Sequence, residues 1–267
     1  MAKRDLVKRG GGSSGGAKIN VGKMNELLKR VHLGGAIGDC VLEIYKDGRA
    51  GVKAIDLTNS IFLFCYIKKA ISGMRKRVDV GIGNLQLLQK YFQSIDDGAI
   101  SFEISDEENR IIFRREKKKS HFDYLLKDSD LISTKFDSED KNYLDKLLDG
   151  AVYSVGLSET QRDLFVSLCN TLSMAETKQV RVHTEDGCVK LVGGIETGHM
   201  FEIDLGKPKQ KVKKGVDSIY YVDHLHKVLG AVDFGDGVDV KLHFGPESPL
   251  VVLIDNQNFW ALSEVSE

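Results

Sequence analysis

No apolar run in this 267-residue chain approaches the roughly 20 residues that a membrane-spanning helix needs, which argues against an integral membrane protein. The opening MAKRDLVKRGGGSSGG lacks the apolar segment of a secretory signal. Paired cysteines are missing as well. Cys40, Cys65, Cys169 and Cys188 form no CxxC motif, and each sits among apolar or strand-forming residues. Reduced, mostly buried thiols and an intracellular location are therefore expected. There is no Walker loop and no HExxH. Gly81-Ile82-Gly83 is followed by Gln86 where a dinucleotide fingerprint needs its third glycine. His32, His121, His183, His199, His224, His226 and His243 are scattered, and His224 and His226, two apart on a helix, face different ways. Acidic clusters such as Asp106-Glu107-Glu108 fall at apparent turns. No catalytic, metal or cofactor constellation emerges, so a non-enzymatic protein without cofactors is expected. A charge excess is missing too: Lys+Arg 38 against Asp+Glu 39 leaves −1, so any attraction to nucleic acid depends on where the cations sit.

What is present is an ordinary globular composition, 42% hydrophobic and 29% charged, in a chain long enough for two cores of roughly 120 residues. Residues 1–18, basic and then Gly/Ser-rich, are expected to form a flexible tail, with Lys3, Arg4, Lys8 and Arg9 either brushing DNA or idle. Beyond it the chain reads as a helix followed by strands, four times over. Apolar residues at i, i+3, i+4, i+7 predict helices over Val21–Leu33 (Met24, Leu27, Leu28, Val31), Asn84–Ile95 (Leu85, Leu88, Phe92, Ile95), Ser158–Leu172 (Leu164, Phe165, Leu168, Leu172) and Val222–Val232 (Val222, Leu225, Leu229, Val232). Ser158 and Gln161 fit a capping box for the third. CVLEIYK and RAGVKAID flank Asp47-Gly48, and QVRVHTEDGCVKLVG carries Asp186-Gly187, both read as hairpins with type I′ turns. AISFEIS, RIIFRRE, GVDVKLH and PLVVLID alternate like further strands.

The pattern repeats. An offset of 139 residues carries Asp47 onto Asp186, Val41 onto Val180, Val52 onto Leu191, Thr58 onto Thr197 and Phe62 onto Phe201. An offset of 137 carries Leu88 onto Leu225, Lys90 onto Lys227, Phe92 onto Leu229, Ile95 onto Val232, Asp96 onto Asp233 and Gly98 onto Gly235. A duplicated domain is the economical account. Its expected boundaries are 19–127 and 150–267. The acidic, polar segment 128–149 reads as an interdomain connector, with Asn142–Leu148 as a short helical turn.

This order resembles the DNA sliding clamp family, of the proliferating-cell-nuclear-antigen type. Gly51-Val52-Lys53-Ala54-Ile55-Asp56 with Thr58-Asn59 resembles that family's first-domain strand signature. Pro249-Leu250-Val251-Val252 and Asn258-Phe259-Trp260-Ala261-Leu262 resemble its C-terminal hairpin, and the connector sits where the family binds partners. The resemblance covers about Ile19 to Val265. It implies an α+β clamp fold: two similar domains, each of two helix-plus-antiparallel-strand units, helices inside and sheets outside. It also implies a homotrimeric ring on double-stranded DNA, tethering a DNA polymerase and other replication and repair proteins and opened by a clamp loader. A monomeric viral processivity factor that holds DNA by charge, and a subunit of a heteromeric checkpoint-type clamp, are the alternatives.

Such a ring needs cations that attract phosphate without reading bases. The candidates on the polar helix faces are Lys23, Lys29, Arg30, Lys90, Arg162 and Lys227, set against Glu26, Glu159, Asp163 and Asp223. Two basic runs at equivalent repeat positions add Arg75, Lys76 and Arg77 in the first, and Lys211, Lys213 and Lys214 in the second. Each run alone is also what a solvated loop looks like. Few aromatics accompany them, which disfavours stacking on single strands. Edge strands near Arg110–Arg115 and Val180–Thr184 are expected to pair between copies and close the ring. The resemblance also places a pocket for short hydrophobic or aromatic motif peptides: Ile55 and Phe62 on its floor, Leu131 and Ile132 on the connector side, Pro249, Trp260 and Ala261 on the C-terminal side. Phe62 and Trp260 are open to a second reading, as core residues.

Overall fold

The structure is a computed structural model, and the residues it describes are 16–105, 108–134, 143–172, 178–194, 198, 200–210, 215–232 and 238–265. Lys211, Lys213, Lys214, Asp106, Glu107, Thr197, His199, Asp233, Gly235 and the first 15 residues of the expected tail lie outside them. In chain order the first elements are β1 (Lys18–Asn20), α1 (Val21–His32), β2 (Cys40–Ile44), β3 (Ala50–Ile55), β4 (Ile61–Ile67), β5 (Ile71–Ser72) and β6 (Val78–Ile82). Then come α2 (Leu85–Gln93), β7 (Ala99–Ser105), β8 (Arg110–Arg115), β9 (Ser120–Leu125), α3 (Tyr143–Gly150), β10 (Tyr153–Gly156) and α4 (Glu159–Leu172). The last are β11 (Gln179–Glu185), β12 (Cys188–Gly193), β13 (Phe201–Gly206), β14 (Asp217–Tyr221), α5 (Val222–Ala231), β15 (Val240–Phe244), β16 (Leu250–Ile254) and β17 (Asn258–Leu262).

The helices form where the apolar stripes and caps dictate. Met24, Leu27, Leu28 and Val31 of α1 are all buried. Asn84 caps α2, its side-chain oxygen accepting from the Leu87 N–H at 2.9 Å, and Leu85, Leu88 and Phe92 point inward. Before α4 the capping box is closed in both directions: the Ser158 N–H donates to Gln161 Oε1 at 2.9 Å and the Gln161 N–H to Ser158 Oγ at 3.3 Å. The buried stripe of α4 differs from the expected one. Leu164 is 47% exposed, and Phe165 and Cys169 carry the inward face. Phe165 belongs to the expected stripe; its i+4 neighbour Cys169 takes the inward place expected of Leu168, which is half-buried.

The chain divides into two compact units. One comprises 1–28, 38–51 and 67–133, the other 29–37, 52–66 and 134–267. The expected boundary near 127 falls close to the division at 133, but 29–37 and 52–66 group with the C-terminal half. The reason for the second is strand pairing: β4 is antiparallel to β17, with Phe64 opposite Phe259 and Phe62 opposite Ala261.

Within the first unit a five-stranded antiparallel sheet has the order β5-β1-β7-β8-β9, and β2 pairs antiparallel with β6. Tyr91 and Phe92 of α2 pack on the five-stranded sheet. Tyr91 stacks on Phe122 at 4.1 Å, and Phe92 meets Phe113 edge-on at 5.4 Å. Within the second unit one sheet runs β13-β12-β11-β14 and another contains β10-β15-β16-β17-β4-β3. Phe165 of α4 contacts Phe201 of β13 at 6.3 Å between ring centroids.

Two expectations about strands are corrected. Arg110–Arg115 and Val180–Thr184 are not edges: β8 lies between β7 and β9, and β11 between β12 and β14. Ser120–Leu125, a segment with no assigned strand in the sequence reading, pairs along the whole of β8, and Asp217–Tyr221 pairs with Gln179 to His183 of β11. The two hairpin turns also differ from each other. Asp186 and Gly187 both have positive φ (51° and 79°) and join Glu185 to Cys188 as a two-residue I′ loop. At the first turn only Gly48 does (88°), and the Tyr45 N–H to Arg49 O bond of 2.9 Å closes a three-residue loop. Gly48 has no room for a side chain, since a Cβ there would lie 2.6 Å from Ile71 O.

Candidate functional site

The cations expected to face phosphate fall into three groups. Lys29, Arg75 and Lys90 are exposed and, among the described residues, carry no carboxylate partner. Lys23, Arg162 and Lys227 are held in local ion pairs: Lys23 with Glu26 at 3.0 Å, Arg162 with Asp163 at 2.9 Å and Glu159 at 3.5 Å, and Lys227 with Asp223 at 2.6 Å. The acids that weighed against these helix faces are thus the partners of their own helix's cations. Such surface pairs contribute about 0–1 kcal/mol and exchange readily for a phosphate. Lys90 and Lys227, matched in the repeat, differ in setting: Lys90 is exposed, while Lys227 is half-buried and passes within 3.9 Å of where a Cβ on Gly34 would stand.

Two expected cations are committed elsewhere. Arg30 is only 6% exposed, and the Trp260 indole N–H donates to its backbone carbonyl at 3.2 Å. A guanidinium in the interior does not meet DNA. Arg77 bonds Asp79 at 2.9 Å and Glu43 at 3.0 Å and lies over the Tyr45 ring at 5.0 Å, so it ties β6 to β2. The hydrogen bonds to Asp79, with Glu43 and Asp79 charge adding, raise its already high pKa further. Lys76, exposed, borders with Arg77, Asp79, Asn109 and Lys127 a polar groove of about 560 Å³ in the first unit.

Gly81, in the fragment that resembled half a dinucleotide fingerprint, has a structural cause. Its backbone bridges Lys127, whose N–H donates to the Gly81 carbonyl at 2.9 Å, and a Cβ would stand 2.0 Å from Lys127 O. The Asp56 signature is likewise a turn. Oδ1 of Asp56 accepts from the Ser60 and Ile61 N–H groups, both at 2.7 Å, and Oδ2 from the Thr58 N–H at 3.3 Å and the Thr58 hydroxyl. Burial pushes the Asp56 carboxyl up, but these donors outweigh it and hold the pKa below the usual value.

The expected peptide pocket resolves into one sheet face of the second unit. Phe62, Val251, Leu253, Phe259 and Ala261 form a buried cluster, with Ile55 and Phe64 packed against it. Alternation puts odd-numbered Phe259 and Ala261 on this face and Trp260 on the other. Trp260 is therefore a core residue, fully buried, and not a pocket wall. Phe62 is also buried, at 7% exposure, yet on the cluster's face. Pro249 is half-buried just before β16. Leu131 and Ile132 belong to the first unit, Leu131 67% exposed and Ile132 buried. The cover within the second unit comes from α3, whose Leu144, Leu147 and Leu148 pack on the cluster. The sequence reading gave that segment only a helical turn, although Leu144, Leu147 and Leu148 at i, i+3, i+4 were visible there.

Among the described residues no three His, Cys, Asp or Glu side chains group as a metal site, and no helix is long and apolar enough to cross a membrane. No family model matches the chain, and no curated protein matches it. Solved structures do. The chain is similar to a proliferating cellular nuclear antigen from Entamoeba histolytica at 15% identity and TM-score 0.70, over 94% of this chain and 98% of that one. It is similar to a putative DNA polymerase III beta subunit from Eubacterium rectale at 14% identity and TM-score 0.67, over 100% of this chain and 68% of that one. It is also similar to a PCNA2–PCNA3 complex from Sulfolobus tokodaii at 13% identity and TM-score 0.66, over 94% and 99%. The chain has the α+β fold of the DNA sliding clamps, as the resemblance implied.

Proposed function

We propose that this chain is a subunit of a ring-shaped sliding clamp that encircles double-stranded DNA and keeps a DNA polymerase on it, a tethering role with no chemistry of its own. The observation that carries this reading is the extent of the match: 94% of the chain on 98% of a nuclear antigen chain, so nearly the whole chain is accounted for by the clamp fold. Its domains are the two repeat halves, 19–127 and 150–267, joined by the connector 128–149. Phosphate is met by Lys29, Lys90 and Arg75, and by Lys23, Arg162 and Lys227 once their surface pairs open. Contacts of that kind displace counterions and carry no base information, which suits movement over any sequence.

Three copies close head to tail through sheet edges. The six-residue edges β9 and β13 are the proposed partners, since β5 is two residues long and gives little to pair with. Replication and repair proteins, among them a polymerase and a loader, dock short hydrophobic motifs on the face made by Phe62, Val251 and Ala261, inside the cell. Sedimentation at micromolar concentration tests the ring. A species three times 29.7 kDa is expected; a monomer at that concentration overturns the homotrimer and leaves the electrostatic monomer and the heteromeric clamp subunit.

A further inference from the structure

We infer that α3 is a resident occupant of the sheet's apolar face, and that a partner docks by displacing it with an amphipathic helix carrying apolar side chains at i, i+3 and i+4. The face consists of two rows of cross-strand neighbours. Phe62 lies opposite Ala261 and Ala261 opposite Val251; Phe64 lies opposite Phe259 and Phe259 opposite Leu253. Phe64 and Phe259 stack at 5.6 Å, and Lys53 Nζ lies over the Phe64 ring at 5.0 Å. A contiguous apolar surface of this kind is normally covered. Here the cover is eight residues long, with Leu144, Leu147 and Leu148 turned to the sheet and Asp145, Lys146 and Asp149 exposed.

Three features make this cover an exchangeable one. Two helical turns do not hold together in water by themselves, so α3 depends on the face for its helicity. Its three leucines are only half-buried, unlike β16 and β17 below, in which every residue is buried. Its C-terminal end is anchored: the chain runs on into β10, where Tyr153 pairs with Phe244 of β15, and Gly245 comes so near that a Cβ would stand 2.4 Å from Gly150 O. A helix tethered to a paired strand is always at high local concentration. It weakens every competing ligand by the fraction of time the face is uncovered. The competitor must copy its pattern, which is the helix-in-groove mode of recognition.

The inference rests on the clamp reading only for who the partner is; displacement itself is measured without DNA. The probe is a fluorescein-labelled, hydrocarbon-stapled copy of residues 143–150, titrated by anisotropy into the full chain and into the Leu144→Ala/Leu147→Ala variant. Binding about tenfold tighter to the variant is expected, as for a site freed of an occupant present nine-tenths of the time. Equal affinity for both chains, or no binding to a variant whose circular dichroism is unchanged, overturns it. Should the variant not fold, hydrogen exchange on the unmodified chain decides. Amides of 143–150 are expected to exchange at least tenfold faster than those of β17, and faster still with saturating probe. Protection equal to that of β17 and indifferent to the probe overturns the inference. Neither result bears on DNA binding, so the two readings fail separately.

Discussion

Asp56 is the side chain whose role the structure defines most sharply, and its replacement by Asn is the perturbation to make. Its two oxygens each serve a pair of donors: Oδ1 the Ser60 and Ile61 N–H groups, Oδ2 the N–H and hydroxyl of Thr58. The same turn closes with the Asp56 N–H donating to Ile61 O and the Asn59 N–H to Asp56 O, both at 3.0 Å, with Asn59 at φ 56°. Asn has one oxygen, so in either orientation its NH₂ faces one donor pair. Hydrogen bonds to a charged acceptor contribute about 1.5–3 kcal/mol each, and losses within one turn are not additive. Asp56→Asn is therefore expected to cost about 2 kcal/mol at pH 7 and Asp56→Ala about 3 kcal/mol. The pH dependence has a definite sign. The folded carboxyl titrates below its unfolded value, so its stabilisation is fully present above the unfolded pKa and is lost as pH falls through the folded one. Asn does not titrate. Urea unfolding of both chains from pH 8 to pH 3 should give a gap that is flat down to about pH 5 and closes below about 4. A gap that widens toward acid, or no gap at neutral pH, refutes this reading of the turn.

Gly81→Ala puts a Cβ 2.0 Å from Lys127 O and should destabilise the first unit by at least about 3 kcal/mol, read from the thermal melt. Lys29→Gln and Lys90→Gln should each weaken DNA binding uniformly across sequences and lower the slope of log K against log salt by about 1. Arg30→Gln should leave that slope unchanged and lower stability, because the side chain is interior. Burial holds the thiols of Cys65 and Cys169 up to about 12, and raises that of Cys40 with Asp39 charge adding. A thiol reagent at pH 8 should therefore label Cys188 alone in the folded chain and all four thiols in urea.

The helices were legible because each carries an apolar stripe, and α2 and α4 carry a cap as well. Asn84 and Ser158 mark starts that the structure reproduces within a residue. The duplicated Asp-Gly turns fixed the repeat, although only the second has the I′ geometry, since Ile71 crowds the first. What was not legible lies in pairings distant along the chain. Trp260 was placed with Ala261, yet in NFWAL every residue is buried, so the sequence offers no alternation from which to choose a face. Arg30 follows Lys23 by seven residues and shares its stripe on an ideal helix; it is nonetheless interior, where the Trp260 indole, 230 residues away, reaches its carbonyl. SHFDYL does alternate from His121 to Tyr124, but over too few residues to stand out beside the basic run before it, and β8 pairs with it along its full length. The cover over the Phe62 face was missed because α3 was read by its charge and not by its three leucines.

Encirclement is the claim on which the functional account stands, and end-blocking of linear DNA measures it. The chain is added to a duplex blocked at one end by biotin–streptavidin, the free end is then blocked, and the complex is challenged with high salt. The account predicts retention while both ends stay blocked and rapid loss once a restriction cut frees one. Loss at the same rate whether the ends are blocked or open would contradict it.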